Sequence, residues 1–324
     1  MRAFVLSGGG NRGALQVGAL RALLEREIYP EMLVGCSAGA LNAAFLAQEL
    51  SLAQVDALHQ VWASTRKEDV YPGGRLRVLW RLLSGQESLY DNRNFYAFLQ
   101  RHGISPALTF GALVRHVRLY ITATDLDTET LHVFGDHPGH RVLDALMAST
   151  ALPPLHPPWT VDGRRFIDGG TVTPLPLRVA LERGADEVYA LHIWNEPTPL
   201  GPLHRGLAAI VDRSISTMLR RQAEHDLLLL ENRRRVRLHR IRLEVDDPPG
   251  IHDWNQTDRL VQAGYEQAIH YLEHQGMGSP APGTRRSPLR WLSQRFLRAM
   301  SPFRKAALAP VSVEAEIRQQ GSRG

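Results

Sequence analysis

Cysteine is nearly absent from this sequence, since Cys36 is the only one in 324 residues. A single cysteine cannot form an intrachain disulfide, so the fold does not depend on disulfides and a reducing compartment is favoured. Long apolar runs are absent as well, and no stretch approaches the roughly 18 residues that a membrane-spanning helix needs. From Met1 the sequence passes directly into an apolar strand, which leaves no room for a signal peptide. We therefore expect a cytoplasmic protein.

The body of the chain also lacks an excess of charge. The net charge is +5, and residues 279–324 alone carry +7, from nine Arg or Lys and two acidic residues. Residues 1–278 therefore sum to −2, which argues against a nucleic-acid-binding core. The basic excess follows a stretch rich in Gly, Pro and Ser. We expect a catalytic domain over 1–277, then a linker and basic tail over 278–324.

The order of apolar and glycine-rich segments predicts an α/β protein. A strand at 2–7, a glycine loop and a helix at 14–27 are followed by a short strand at 32–34, a serine turn and a helix at 40–50. Further strands are predicted at 118–124, 131–134, 164–167, 187–194 and 236–243, and further helices at 203–235 and 257–274. Residues 65–100 have mixed composition and are expected to be irregular.

The serine turn has the sequence Gly35-Cys36-Ser37-Ala38-Gly39. In a G-x-S-x-G turn, the two glycines let a strand and a helix pack closely around a strained serine, which projects as a nucleophile. The start of the following helix would favour developing negative charge. Cys36 is an alternative nucleophile, but the turn projects its central residue, so we expect Cys36 to be a small packed side chain. An ordinary glycine turn is the competing interpretation.

The glycine loop Gly8-Gly9-Gly10-Asn11-Arg12-Gly13 follows the first strand. Its consecutive backbone amides suit an oxyanion hole, and Arg12 adds a cation that could fix the loop or the substrate. The same loop fits the G-x-G-x-x-G pattern of dinucleotide-binding folds. Those folds place an acidic residue at the end of the second strand, where this chain has the serine turn. We therefore favour an oxyanion hole formed by Gly8, Gly9, Gly10, Arg12 and Gly13.

A nucleophilic serine needs a proton acceptor. The 14 histidines lie in uninformative contexts, whereas Asp168 ends an apolar strand in Phe166-Ile167-Asp168-Gly169-Gly170. An acidic residue at this place lies at the functional edge of an α/β sheet. A plain Asp-Gly turn and a conventional histidine-dependent esterase are the alternatives at this point.

Together these motifs resemble those of the patatin-like phospholipase family. The family pattern is a G-G-G-x-[RK]-G loop, a G-x-S-x-G turn and a D-G-[AG] motif, which the loop at Gly8–Gly13, the turn at Gly35–Gly39 and Asp168-Gly169-Gly170 match in order. Ala148–Pro153 resembles the family's A-S-x-x-x-P segment. The resemblance covers about residues 3–195 and, more weakly, the late helix near Asp258–Ala268.

The resemblance implies a three-layer α/β/α fold with a mainly parallel central sheet, in which 3–195 form the motif core and 196–277 a helical part. It also implies a catalytic pair without histidine, in which Ser37 is the nucleophile and Asp168 accepts its proton. The implied activity is cleavage of fatty acyl esters of phospholipids or lysophospholipids through an acyl-serine, with no metal and no cofactor. An acyltransferase or a non-catalytic lipid-binding protein are the alternatives, and the oligomeric state is left open.

Two segments suit contact with lipid. Residues 75–83 mix leucines, a tryptophan and arginines, which fits either a lid that touches a bilayer or a core helix with arginines at its edge. Within Leu289–Lys305, helical spacing puts apolar side chains on one face and basic ones broadly opposite. That pattern is typical of an interfacial helix on anionic lipid, although a docked helix or a disordered tail has the same composition. We expect peripheral contact with the membrane surface and none with nucleic acid.

Overall fold

The computed structural model describes residues 1–113, 117–194, 207–231 and 236–277. By its internal contacts the chain divides into a unit Met1–Ala281 and a unit Pro282–Gly324. The predicted linker and the amphipathic segment Leu289–Lys305 lie outside the described residues, so the domain boundary after residue 277 stays a prediction. Within the described residues, none of the helices combines the length and the apolar character needed to cross a bilayer.

The described strands form one mixed sheet in the order β5-β6-β3-β2-β1-β7-β8, with β4 paired to β3. Neighbours among β3, β2, β1, β7 and β8 run parallel, and β4, β5 and β6 add antiparallel pairs. The predicted mainly parallel sheet is thus confirmed, with an antiparallel edge. The strands are β1 (Arg2–Leu6), β2 (Met32–Cys36), β3 (Arg118–Asp125), β4 (Thr130–Phe134), β5 (Trp159–Val161), β6 (Arg164–Asp168), β7 (Glu187–Ile193) and β8 (Arg237–Leu243).

Helices cover the sheet on both faces. They are α1 (Ala14–Glu25), α2 (Ala38–Gln48), α3 (Leu52–Ser64), α4 (Lys67–Val70), α5 (Arg75–Leu83), α6 (Arg93–Arg101), α7 (Phe110–Leu113), α8 (Val142–Ser149), α9 (Leu177–Glu182), α10 (Leu207–Glu231) and α11 (Thr257–His274). The expectation that 65–100 are irregular is wrong, because α4, α5 and α6 lie there. These helices have only 4, 9 and 9 residues, and Tyr71-Pro72-Gly73-Gly74 interrupts the segment between the first two.

The three layers follow from the alternation of side chains along the strands. Ala3 and Val5 of β1 point to one face, where they pack with residues of α9 and α10 such as Leu177 and Leu227. On the other face, α2 lies against β2, and α1 packs on the sheet and on α11. Gln16 of α1 donates to backbone carbonyls at the carboxyl ends of β1 and β7. The expected α/β/α arrangement is confirmed.

The strand register brings the predicted site residues together. Cys36 of β2 pairs with Thr122 of β3, and the next residue of β3, Ala123, pairs with Asp168 of β6. Ser37 follows Cys36 directly, so Ser37 and Asp168 lie on either side of β3 at the carboxyl edge of the parallel strands. Segments 131 residues apart in sequence meet there because β6 returns antiparallel to β3.

Candidate active site

Ser37 occupies a sharp turn between β2 and α2. Its backbone has φ 52° and ψ −122°, a left-handed conformation that costs free energy in a non-glycine residue. Two close contacts make the turn possible: a Cβ on Gly35 would lie 2.5 Å from the carbonyl oxygen of Gly39, and a Cβ on Gly39 would lie 2.3 Å from that of Leu6. The strand and helix therefore cross at glycines, as the pentapeptide predicts.

The Ser37 hydroxyl donates to the Oδ2 atom of Asp168 at 2.6 Å. The other carboxylate oxygen, Oδ1, accepts a hydrogen bond from the backbone N–H of Gly170 at 2.8 Å. This bond fixes the orientation of the carboxylate. Asp168 is 3% exposed, and this burial raises its pKa to about 6, although the Ser37 and Gly170 donors act in the opposite direction. A base with this pKa is ionised at neutral pH and close enough to Ser37 to take its proton.

No histidine among the described residues forms a hydrogen bond to Ser37 or Asp168. His156 is nearest in sequence to Asp168, but its ring nitrogens lie 2.7 Å from the carbonyl oxygen of Val70 and 3.4 Å from that of Thr150. Cys36 is fully buried, and burial together with the Asp168 charge raises the pKa of its thiol well above the usual range. A protonated, buried thiol is a poor nucleophile.

The glycine loop lies beside this pair, and its hydrogen bonds distinguish its members. The Gly8 amide donates to the Pro174 carbonyl at 2.9 Å, while the Arg12 amide and guanidinium both donate to the Gly9 carbonyl. Within the described residues, no acceptor takes the amides of Gly9 and Gly10. Gly10 has φ +58°, and a side chain there would point into open space. Gly9 and Gly10 line the cavities at Ser37, so their amides are the candidates for an oxyanion hole, whereas the amide of Gly8, also predicted to belong to it, is already bonded. The Arg12 side chain donates within the loop.

Ser149 lies at the site but was not predicted as a site residue, although it belongs to the Ala148–Pro153 segment. Its buried hydroxyl accepts the backbone N–H of Ser37 at 2.8 Å. This hydrogen bond stabilises the strained turn and connects it to the end of α8. The serine in the family-like segment Ala148–Pro153 is the sequence feature that could have pointed to it.

An apolar cavity of about 80 Å³ opens at Ser37 and Asp168. Its walls come from α2, α3 and α6 and from the segments next to α4 and α11, and they include Leu41, Phe45, Trp62, Tyr71, Phe98 and Trp254. The ring of Trp62 stacks on that of Trp254 at 6.1 Å, and its indole N–H donates to Asn42. Such a wall suits an alkyl chain.

A second cavity, of about 140 Å³, also reaches Ser37 and Asp168. We call it the arginine-lined cavity, because Arg12 and Arg220 both contribute to its wall together with His192, Trp194 and Ser216. The reacting pair thus lies where an apolar space meets a cationic one. Among the described residues, no group of three or more His, Cys, Asp or Glu side chains is arranged to hold a metal ion.

Comparison with known proteins agrees with these motifs. A family model described as Patatin-like phospholipase matches residues 4–181, more than half of the chain. The chain belongs to the patatin-like phospholipase family. The matched span includes Ser37, Asp168 and the whole glycine loop.

The chain spans less than a fifth of the length of the following two curated relatives. The chain is 32% identical over 199 residues to patatin-like phospholipase domain-containing protein 7 of Rattus norvegicus, which is 60% of this chain and 14% of that protein. It is 28% identical over 202 residues to Lysophospholipase NTE1 of Mycosarcoma maydis, covering 59% of this chain and 10% of the relative. The solved structure of VipD from Legionella pneumophila is similar with a TM-score of 0.44 and 16% identity, over 84% of this chain and 67% of that one.

Proposed function

We propose that this protein is a serine lipid acyl hydrolase that cleaves the fatty acyl ester of a phospholipid or lysophospholipid. The observation that carries the proposal is the 2.6 Å hydrogen bond from Ser37 to the buried Asp168 carboxylate. It joins an activated nucleophile to its base at the mouth of an apolar cavity. Membership of the patatin-like family supports the same class of reaction.

In the proposed reaction, Asp168 takes the hydroxyl proton while Ser37 Oγ attacks the ester carbonyl carbon. The negative charge on the carbonyl oxygen is held by the amides of Gly9 and Gly10. The intermediate collapses to an acyl-serine, and the leaving alcohol takes the proton from Asp168. Water then attacks the acyl-serine and gives a proton to Asp168. Ser37 Oγ takes this proton back as the fatty acid leaves, which regenerates the hydroxyl and the Asp168 carboxylate. Losing one oxyanion donor costs about 3 kcal/mol of barrier.

The test is fatty acid release from a panel of phospholipids and lysophospholipids, measured by mass spectrometry. We expect Ser37→Ala and Asp168→Asn each to lower the rate by a factor of about a thousand or more. Cys36→Ala is the matched control for the turn and retains release. A Ser37→Ala protein that hydrolyses these lipids at the wild-type rate would contradict the proposal.

We further propose that α5 contacts the surface of an anionic bilayer. Leu76, Trp80 and Leu83 are spaced to share one helix face, and their exposures are 84%, 61% and 80%. Leu79 and Leu82 are also more than half exposed, which is incompatible with the core-helix alternative. Arginine is the one charged residue type between 70 and 86, so the charge of this segment complements anionic lipid.

The position of α5 links this contact to the reaction. Val70 and Tyr71, just before this helix, line the apolar cavity, as do Phe95 and Phe98 of the next helix, α6. The Arg81 guanidinium donates to Ser88, which ties the end of α5 to the returning chain. A bilayer under α5 would therefore lie close to the entrance for the acyl chain.

Vesicle flotation tests this contact. The double variant Leu76→Asp/Leu83→Asp should lose most of its binding to phosphatidylglycerol vesicles and keep its turnover of a short-chain p-nitrophenyl ester. Ile210→Asp, which changes a 52% exposed isoleucine on α10, is the matched control and should bind as wild type. Equal binding by the double variant and the control would exclude α5 as the contact.

A further inference from the structure

The arginine-lined cavity has features that the hydrolysis of an ester does not by itself require. It meets the apolar cavity at Ser37, Leu152 and Asp168, which line both. If the acyl chain occupies the apolar cavity, the leaving alcohol must lie in the arginine-lined one. The groups in this wall therefore bear on which alcohol leaves.

Two arginines from separate elements face this space. Arg12 belongs to the loop after β1, and Arg220 is a half-buried residue of α10. Within the described residues, Arg220 has no carboxylate at ion-pair distance, whereas its neighbour Arg221 pairs with Glu224 at 3.1 Å. Guanidinium groups bind phosphate with charge-assisted, often bidentate hydrogen bonds.

A buried imidazole in the same wall independently indicates a polar ligand. His192 is 3% exposed, and its Nδ1 atom is buried without a hydrogen-bond partner in the described part of the chain. Burial, with Arg240 and Arg242 nearby, lowers its pKa to about 3, so the ring is neutral. An unpaired buried nitrogen costs free energy unless a ligand or water bonds to it.

We propose that the arginine-lined cavity binds the phosphate of the leaving alcohol, through Arg220 and Arg12 with His192 as a neutral hydrogen-bonding group. The preferred substrate is then an acyl ester whose glycerol carries a phosphate. The inference rests on the proposed hydrolase function. The bond that breaks joins the acyl carbon to the alcohol oxygen, which leaves with the proton from Asp168. The phosphate ester bond elsewhere on the glycerol stays intact.

The test compares 1-oleoyl-lysophosphatidic acid with 1-oleoylglycerol in the same neutral detergent micelles. The two substrates share the acyl chain and the scissile ester and differ by the phosphate. We expect the wild type to have a higher kcat/KM for the phosphate-bearing substrate. Arg220→Gln should reduce the ratio of the two kcat/KM values about ten-fold, as expected for one charge-assisted hydrogen bond. Arg221→Gln, on the same helix but outside the cavity, should leave the ratio unchanged.

Each outcome separates the two proposals. If both substrates are hydrolysed and all three proteins give the same ratio, the phosphate subsite is wrong and the hydrolase stands. If neither substrate is hydrolysed, both proposals fail. Inhibition of a short-chain ester assay by glycerol 3-phosphate, at concentrations where inorganic phosphate has no effect, supports the headgroup. Equal inhibition by both would contradict the headgroup and assign the cavity to the free anion.

Discussion

At the residue scale, the proposed reaction requires a charged Asp168, although this carboxyl group is buried. It is 3% exposed, yet it accepts hydrogen bonds from the Ser37 hydroxyl and the Gly170 amide. Burial outweighs these donors and raises its pKa from 3.8 to about 6. The protonated, inactive form therefore persists to a higher pH than for an exposed aspartate.

The first prediction concerns activity against pH. Because Asp168 can accept a proton only when ionised, kcat/KM for an uncharged ester should rise as pH increases through about 6. A pH profile of the wild type measures this midpoint. Asp226 is another carboxyl whose pKa burial raises, and Asp226→Asn should leave the midpoint where it is. A rate that stays constant down to a pH of about 4 would contradict the assignment of Asp168 as the base.

The second prediction concerns stability, and it has the opposite sign from activity. The free energy of unfolding that Asp168 contributes is fully present below its unfolded pKa of 3.8 and is lost as pH rises through about 6. Asp168→Asn carries no charge, so at pH 8 it should be more stable than wild type by up to about 3 kcal/mol. The difference should vanish near pH 3.5. Urea unfolding at both pH values measures it, and a less stable variant at pH 8 would be contrary to this account.

Ser37, Asp168 and the glycine loop could be predicted from sequence at this scale because each stands in a short motif with its own backbone requirement. The roles within the loop could not. Only the fold shows that the Gly8 amide is bonded to Pro174 and the Arg12 amide to Gly9, and that Gly9 and Gly10 line the cavities at Ser37. The first contact joins residues far apart in sequence, and the second depends on the backbone conformation of the loop. Neither can be inferred from the amino-acid composition or the motif.

At the element scale, the buried parallel strands were predictable and the surface elements were not. β2 and β7 are buried throughout and β1 is buried apart from Arg2, and apolar residues predominate in all three. β5 has three residues, none of them fully buried, and forms an edge of the sheet, so no apolar run marks it. For α5 the sequence left a lid and a core helix open, because its leucines suit either, and only their exposure in the fold decides between them.

The contact between α1 and α11 yields a prediction at this scale. A Cβ on Gly264 would lie 1.9 Å from the carbonyl oxygen of Leu15, and one on Gly18 equally close to that of Val261. Gly264→Ala should therefore lower the free energy of unfolding by about 3 kcal/mol, since backbone rather than a flexible side chain must move. Chemical denaturation followed by circular dichroism measures the loss.

Gly74→Ala is the control for this substitution, because a Cβ there meets nothing within 4 Å. It should leave the unfolding midpoint nearly unchanged. If Gly264→Ala unfolds at the same denaturant concentration as Gly74→Ala, the two helices do not pack as closely as described.

At the scale of the whole molecule, the site is formed by segments that are far apart in sequence. The strand register brings Ser37 to Asp168, and the apolar cavity joins Leu41 to Phe98 and Trp254. The order of the motifs predicted the pair, but the cavities depend on how α3, α6 and the loop before α11 fold over the sheet. Neither their walls nor their contrast in charge could be predicted from the sequence.

The basic tail gives the prediction at this scale. Deleting residues 279–324 removes a charge of +7 and the amphipathic segment Leu289–Lys305. We expect the shortened protein to bind anionic vesicles more weakly and to hydrolyse a short-chain ester as the full chain does. Flotation with phosphatidylglycerol vesicles, and with neutral vesicles as the control, measures the change. Unchanged partitioning onto anionic vesicles would refute a role for the tail.

The central claim is that Ser37 is a nucleophile activated by Asp168, and labelling with a fluorophosphonate tests it most directly. Intact-protein mass spectrometry should show one phosphonate on the wild type and on Cys36→Ala, with peptide mapping placing it on Ser37. Asp168→Asn should label far more slowly, and Ser37→Ala should gain no mass. Labelling of Ser37→Ala to the wild-type extent, or a label on any other residue of the wild type, would contradict the account.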